Sequence, residues 1–215
     1  MNDNNLKESN INLKTYNFKI IVLGDYTSGK TFFINRYISN SFIEEHQTSI
    51  SCEYKQKKVD IDRETVANLQ IWDTSGEERF MSVTKQYFRE SQGAIVVFNL
   101  TDKKSFEQID KWIKVIKEEA PKNIVIMVVG NKSDLINERV VFGSELERYK
   151  KDYLYFEVCA KNGTNVSLAF EELTLKIIEN EKEKTVKGED TPRESVSLKQ
   201  SSKKKRKKKI NAKNL

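Results

Sequence analysis

The sequence has few of the residues that build disulfide frameworks and metal sites, and no long apolar run. Of its 215 residues, two are cysteines, Cys52 and Cys159, which lie far apart and outside any metal-ligand spacing, and His46 is the single histidine. This usage indicates a reducing, intracellular setting. The longest apolar runs, such as residues 124–129, are far too short to cross a bilayer. No apolar h-region opens the chain, so we expect no secretory signal.

Composition and charge divide the chain into a body and two tails. Hydrophobic residues make up only 37% and charged residues 33%, so part of the length is expected to be unfolded. Residues 1–15 are polar and Asn-rich without periodicity. Residues 183–215 hold 12 Lys or Arg against 4 Asp or Glu, including an unbroken basic run from Lys203 to Lys209. We predict a disordered extension over 1–15, a folded domain over 16–182 and a disordered basic tail over 183–215.

Between the tails, short apolar runs alternate with segments of helical periodicity. Some runs are continuously β-branched, as in strands buried on both faces, and two alternate like an edge hairpin. The predicted strands are residues 18–24, 54–62, 65–73, 94–100, 124–130 and 155–159, and the predicted helices are 29–39, 103–120, 143–151 and 164–182. This order predicts an α/β fold with a doubly wound, mostly parallel six-stranded sheet and one antiparallel edge strand. Its ligands are expected at the carboxyl ends of the strands.

Residues 24–31, GDYTSGKT, follow a predicted strand and open a predicted helix. In that context the pattern indicates a phosphate-binding loop, although a plain Gly-rich turn has the same outline. Gly29 lets the backbone N–H groups turn inward around phosphate oxygens, and the helix N-terminus adds partial positive charge. Lys30 would reach the outer phosphates, and the Thr31 hydroxyl would ligate Mg²⁺.

Two later strands end in residues that complete a nucleotide site. Asp73, in IWDTSG, has the placement to hold the magnesium shell through water, although a strand-end Asp before Gly is also a common turn former. NKSD follows another buried strand, and the acceptor-only carboxylate of Asp134 would select guanine, which offers N1–H and a 2-amino group side by side. Asn131 would brace the loop and Lys132 would lie over the base. By itself, NKSD could equally be a helix-capping loop. The Ala160 N–H in CAK would face the guanine O6.

Taken together, these motifs and LQIWDTSGEERF (69–80) resemble the Ras superfamily of small GTPases, in its Rab branch, over about residues 17–180. The resemblance implies a P-loop NTPase G-domain that binds GTP or GDP with Mg²⁺. It places Phe42 against the base, Ser49 on Mg²⁺ and an effector-contacting aromatic trio at Tyr54, Trp72 and Tyr87. The trio could also be core packing.

The predicted site comprises three groups. The nucleotide-binding residues are Asp25, Tyr26, Thr27, Ser28, Gly29, Lys30, Thr31, Phe32, Phe42, Ser49, Gly76, Asn131, Lys132, Asp134, Cys159, Ala160 and Lys161. The magnesium residues are Thr31, Ser49 and Asp73, and the catalytic residues are Glu77 and Lys30.

Several residues depart from the family pattern. Tyr26 stands where the family keeps Gly or Ser, and Glu77 stands where a water-positioning Gln is expected. Ser49 replaces Thr, and Cys159 replaces Ser. The chain ends in KKKRKKKINAKNL with no cysteine for prenylation. Tyr26 and Glu77 predict slow hydrolysis, although a carboxylate at Glu77 could also help to deprotonate the water.

Two functional hypotheses follow. The first is a Rab-like switch in vesicle traffic that works with effectors, an exchange factor and a GTPase-activating protein on the cytosolic face of endomembranes. The second is a GTP-locked or pseudo-GTPase scaffold with little turnover. The basic run from Lys203 to Lys209 would contact an anionic membrane, although it also reads as a nuclear localisation signal or as a solvated tail. Nucleic-acid binding is disfavoured because the body is nearly neutral.

Overall fold

The computed structural model describes residues 13–41, 53–74 and 87–187. Its framework is a six-stranded sheet in the order β2-β3-β1-β4-β5-β6. The strands are β1 Lys14–Leu23, β2 Glu53–Asp60, β3 Thr65–Asp73, β4 Gly93–Asn99, β5 Val125–Asn131 and β6 Leu154–Glu157. The edge strand β2 pairs antiparallel with β3, and every other pair is parallel. The predicted fold class, including the edge hairpin, is therefore confirmed.

Helices cover both faces of the sheet. They are α1 Lys30–Ser39, α2 Lys103–Glu107, α3 Ile109–Glu119, α4 Gly143–Asp152 and α5 Val166–Lys187, with a 3₁₀ turn at Ile136–Glu138. On one face α1 packs on α5, where the Phe33 and Phe170 rings stack with centroids 4.9 Å apart. On the other face α2, α3 and α4 cover the sheet, and Phe106 of α2 contacts Tyr149 of α4 edge-on at 5.8 Å. The continuous apolar strands thus lie between two hydrophobic cores.

Strand β1 and helix α5 each extend farther than the sequence patterns indicate. Strand β1 begins at Lys14, inside the segment predicted to be disordered, because Lys14 pairs with Thr65 of β3 and donates its N–H to the Glu64 carbonyl at 2.6 Å. Helix α5 continues to Lys187, five residues past the predicted boundary at 182. These end segments are polar and mostly exposed, so hydrophobic periodicity does not reveal them.

Two further differences are small. The helix predicted over 103–120 is divided at Gln108 into α2 and α3. Its apolar residues between Phe106 and Ile116 still pack in one core. The last strand ends at Glu157, two residues before the predicted end. Among the described helices, none is long and apolar enough to cross a bilayer.

Candidate nucleotide-binding site

The loop between β1 and α1 passes very close to the neighbouring strands. Gly24 has φ +139°, and a Cβ there would stand 2.0 Å from the Val97 carbonyl oxygen of β4. Gly29 has φ +88°, and its Cβ would stand 2.4 Å from the Asn131 side-chain nitrogen. Thr27 between them is also left-handed, at φ +67°. The two glycines are thus required by both conformation and space, and the loop turns its backbone as anion-binding loops do.

Lys30 is buried at the start of α1, directly behind this loop. Its ammonium donates hydrogen bonds to the carbonyl oxygens of Gly24 and Asp25, both at 2.9 Å. Burial lowers the pKa of the amine to about 8, and the nearby carboxylates of Asp73 and Asp25 partly oppose that shift. Asp73 is buried at the carboxyl end of β3. A cation and two carboxylates therefore meet at the sheet edge where ligands of such folds bind.

Asn131, at the end of β5, joins three segments of the site. Its side-chain nitrogen donates to the Ser28 carbonyl at 3.0 Å. Its side-chain oxygen accepts from the backbone N–H groups of Lys132 at 2.8 Å and Ala160 at 3.2 Å. The Ala160 N–H, which the sequence analysis directs at a base, thus contacts Asn131 in this structure. The phosphate loop, NKSD and CAK are held as one cluster by a single buried amide.

Asp134 is oriented by the thiol of Cys159. The Sγ–H donates to Asp134 Oδ1 at 3.1 Å, and Sγ accepts the Asn162 N–H at 3.4 Å. Burial raises the pKa of the Cys159 thiol, and the Asp134 carboxylate adds to the shift, so the group stays protonated and remains a donor. Cysteine thus fills the hydrogen-bonding role that a serine hydroxyl would have at this position.

Two residues that the sequence analysis missed support these loops from other elements. Arg36, on α1, donates from Nε to the Ala160 carbonyl at 2.9 Å and from a terminal nitrogen to the Lys161 carbonyl. Trp112, on α3, donates its indole N–H to Asp25 Oδ1 at 3.3 Å. These contacts join residues 124 and 87 positions apart, and no local pattern signals them.

An ion pair stabilises NKSD and CAK, which we call the base loops. Arg139 forms two hydrogen bonds with the Glu157 carboxylate, each 2.7 Å long, and Tyr155 donates to the same carboxylate at 3.0 Å. This pairing ties the segment after NKSD to the strand that precedes CAK. The ion pair lowers the pKa of Glu157, so the pair stays charged at neutral pH.

The predicted aromatic trio forms one continuous patch. The Trp72 ring lies 5.0 Å from Tyr54 and 5.2 Å from Tyr87, measured between centroids. Tyr54 is 52% exposed, whereas Trp72 and Tyr87 are partly buried. The Lys19 ammonium lies 4.8 Å from the Trp72 centroid. The trio therefore combines packing with an accessible ring surface.

The remaining predicted residues divide into two groups. Tyr26 is 55% exposed at the tip of the phosphate loop, and Thr31 and Phe32 are half-buried in the first turn of α1. Lys132 adopts φ +65°, and Lys161 is exposed. Phe42, Ser49, Gly76, Glu77 and the run from Lys203 to Lys209 lie outside the described residues.

Comparison with known proteins agrees with this geometry. The Ras family model matches residues 19–179. Rab-11C of Dictyostelium discoideum is 39% identical over 160 residues, covering 74% of this chain and 71% of the relative, and Rab-1D of the same organism is 38% identical over 155 residues, covering 71% and 76%. YPTC6 of Chlamydomonas reinhardtii is 34% identical over 177 residues, covering 81% and 82%. The chain therefore belongs to the Ras superfamily of small GTPases, in its Rab branch, a family of GTP-binding switches in membrane traffic.

Proposed function

We propose that the protein cycles between GTP-bound and GDP-bound forms with Mg²⁺, and that effectors, an exchange factor and a GTPase-activating protein read or change that state. We place it on the cytosolic face of endomembranes. The observation that carries the proposal is Asn131, which links the phosphate loop to both base loops. One rigid cluster can then hold the two ends of a single nucleotide.

Guanine selectivity is assigned to Asp134. An ionised carboxylate only accepts hydrogen bonds, and guanine presents two adjacent donors on its pairing edge. The Cys159 thiol occupies one carboxylate oxygen by a 3.1 Å contact and so fixes the orientation of the carboxylate. Arg36 and the Arg139–Glu157 pair support the flanking loops. These contacts hold NKSD and CAK in place around the Asp134 carboxylate, which accepts the hydrogen bonds from guanine.

The donor set fits Mg²⁺. Within the described residues no cluster of three or more His, Cys, Asp or Glu could hold a metal ion. Mg²⁺ in nucleotide sites needs no such cluster, because it takes one or two protein oxygens together with phosphate oxygens and water. We assign the Thr31 hydroxyl and the Ser49 hydroxyl to direct contact and Asp73 to contact through water. When bound, Mg²⁺ supplies charge neutralisation at the phosphates.

The test of the base assignment is Asp134→Asn. The new amide would point a donor at guanine's own donors, and one such mismatch costs about 1–3 kcal/mol, which is roughly tenfold to a hundredfold in affinity. Xanthine carries an oxygen in place of the 2-amino group and should therefore gain affinity for the variant. Binding constants for GDP and xanthosine diphosphate check both directions, with Arg63→Gln as an exposed control. Equal GDP affinity in wild type and Asp134→Asn would contradict the assignment.

We further propose that hydrolysis is slow. Lys30 and the loop amides would neutralise charge on the phosphates, and Glu77 would hold the attacking water. Ionised Glu77 can only accept hydrogen bonds, whereas the amide of a glutamine can also donate one. A carboxylate could also help to deprotonate the water, so Glu77 could make hydrolysis either slower or faster than a glutamine would. Tyr26 gives a steadier argument, because its ring stands 55% exposed at the loop tip, where it would obstruct an arginine supplied by an activating protein.

The exposed Tyr26 ring also favours a second candidate function, a GTP-locked binding scaffold. Two measurements separate it from a slow but cycling switch. Protein purified with mainly GDP supports cycling, and protein with mainly GTP supports the locked form. Single-turnover hydrolysis by wild type, Tyr26→Gly and Glu77→Gln then locates the cause. A fast wild type that neither substitution changes would contradict slow turnover.

A further inference from the structure

A concave groove lies at the amino ends of β5 and β6, far from the phosphate loop. Its floor is apolar and includes residues 124–126 and Leu154, and its volume is about 570 Å³. That volume lies within the range of small-ligand sites, about 300–1,000 Å³. Four lysines surround it, and we name it the lysine groove after Lys117, Lys122, Lys151 and Lys176. It takes no part in the nucleotide site.

The lysine groove has a net positive charge, because its four lysines outnumber the two nearby carboxylates, Asp152 and Glu179. Lys176 is paired with Glu179 at 2.6 Å, whereas Lys117 donates to the Tyr153 hydroxyl at 2.9 Å. Lys122 and Lys151 are exposed and form no ion pair with any residue that the structure describes. Asp152 is the acidic residue that lines the groove.

Some other lysines of the body are paired with carboxylates. Four of them pair with carboxylates on their own or neighbouring helices: Lys103, Lys114, Lys150 and Lys184. The chain is rich in lysine throughout, so what distinguishes the groove is the placement of four lysines around one concave site with an apolar floor. Uncompensated ammonium groups around an apolar floor are complementary to a phosphorylated headgroup.

The position of the groove relates it to the basic tail. The seven residues of β5 separate it from Asn131 by about 20 Å. Helix α5 lines the groove with Lys176 and Asn180, then continues for seven residues to Lys187, about 10 Å farther. The basic run begins 16 residues beyond that point, and 16 residues can reach at most about 55 Å. Groove and basic run can therefore reach one flat anionic surface together.

We propose that the lysine groove binds the phosphorylated headgroup of an inositol lipid, so that the face opposite the nucleotide loops lies against a phosphoinositide-containing membrane. Lysines act as point charges on phosphate oxygens, and a concave site distinguishes a bulky polyphosphorylated headgroup from diffuse surface charge. A basic rim would also suit an acidic peptide. The lipid is favoured because the chain leaves the body at the same end and carries seven basic residues in a row. The inference does not depend on the proposed hydrolysis or on the guanine assignment.

The experiment compares two double variants of the full chain that carry the same net charge. Lys122→Glu/Lys151→Glu reverses charge in the groove, and Lys58→Glu/Lys104→Glu reverses it at exposed lysines elsewhere. Co-sedimentation at 0.15 M salt uses phosphatidylcholine vesicles with phosphatidylinositol 4,5-bisphosphate, and vesicles of matched charge made with phosphatidylserine. Bound nucleotide and melting temperature of each sample report folding, and Lys122→Gln/Lys151→Gln serves as a milder groove variant.

We expect wild type to bind the phosphoinositide vesicles at least about fivefold more tightly than the phosphatidylserine vesicles. The groove double variant should lose that preference, whereas the control double variant should keep it, and soluble inositol 1,4,5-trisphosphate should compete. Equal losses in both double variants would show general charge attraction and overturn the proposal. Unchanged vesicle binding by a folded groove variant would overturn it too, and binding of an acidic peptide lost only in that variant would assign the groove to a protein.

Discussion

Lys30 holds a charge where burial disfavours it. The amine has a pKa of about 8, because desolvation outweighs the attraction of Asp73 and Asp25. Phosphate oxygens placed beside it would stabilise the ammonium and raise that pKa. At pH 7 the amine is already mostly protonated, whereas at pH 9 about nine-tenths of it is neutral before binding.

Nucleotide binding should therefore take up a proton, and the uptake should grow from near zero at pH 7 towards one at pH 9. GDP affinity should fall as pH rises above 8, by up to about tenfold per pH unit. Calorimetry of GDP binding in two buffers of different ionisation enthalpy measures the uptake directly. Lys30→Arg keeps its charge throughout this range and should show no uptake, although its binding is weaker. Wild type with no uptake at pH 9 would contradict the assignment of Lys30 to the phosphates.

Some residue contacts could be predicted from the sequence and others could not. Asn131 was expected to brace the site because it follows a buried strand, and the structure gives it three backbone partners. The Arg36 and Trp112 contacts had no signal, since their partners are set by tertiary packing and not by spacing along the chain. The role of Glu77 stays a prediction, because that residue lies outside the described ranges.

Elements were easiest to predict where hydrophobic pattern dominates. Strands β4 and β5 are entirely buried, and each matches its predicted apolar run within one residue at either end. The start of β1 was missed because the ladder there is held by backbone pairing with β3, while the side chains are exposed and polar. Backbone pairing leaves no trace in a hydrophobic pattern.

Helix α3 contributes to the nucleotide site through one indole. Trp112→Phe keeps an aromatic ring in the core and removes the donor to Asp25, so one part-buried hydrogen bond is lost at a cost of about 0.5–1.5 kcal/mol. We expect GDP to dissociate several-fold faster. Ile116→Val, on the same buried face, should destabilise the fold about as much as Trp112→Phe does, and so lower the melting temperature similarly. It should leave the rate of GDP dissociation unchanged. If both variants release GDP at the same rate, Trp112 acts through packing alone.

At the scale of the whole molecule, the sheet separates two functional ends. The carboxyl ends of β1, β3 and β5 carry the phosphate loop, Asp73 and Asn131, and the amino ends of β5 and β6 carry the lysine groove. Parallel strands impose this division, since all their carboxyl ends lie on one side. The nucleotide end was predictable because its motifs follow the strands directly. The groove was not, because its lysines come from three helices and a turn that are distant in sequence.

The basic run from Lys203 to Lys209 should add a second, less selective membrane attraction. Each basic residue near an anionic leaflet contributes about 1 kcal/mol, so seven give several kcal/mol. Added salt shortens the distance over which charges attract, and this Debye length is only about 10 Å at 0.1 M. Binding to phosphatidylserine vesicles should therefore fade by about 0.5 M salt.

A full-chain variant with all seven residues replaced by glutamine separates the two attractions. Co-sedimentation should show that it no longer binds phosphatidylserine vesicles, because diffuse attraction requires the run. It should still prefer phosphoinositide vesicles, more weakly than wild type, because the lysine groove is unchanged. If wild type does not bind phosphatidylserine vesicles even at low salt, the basic run does not contribute to membrane binding. Selectivity between lipids would then rest on the folded body alone.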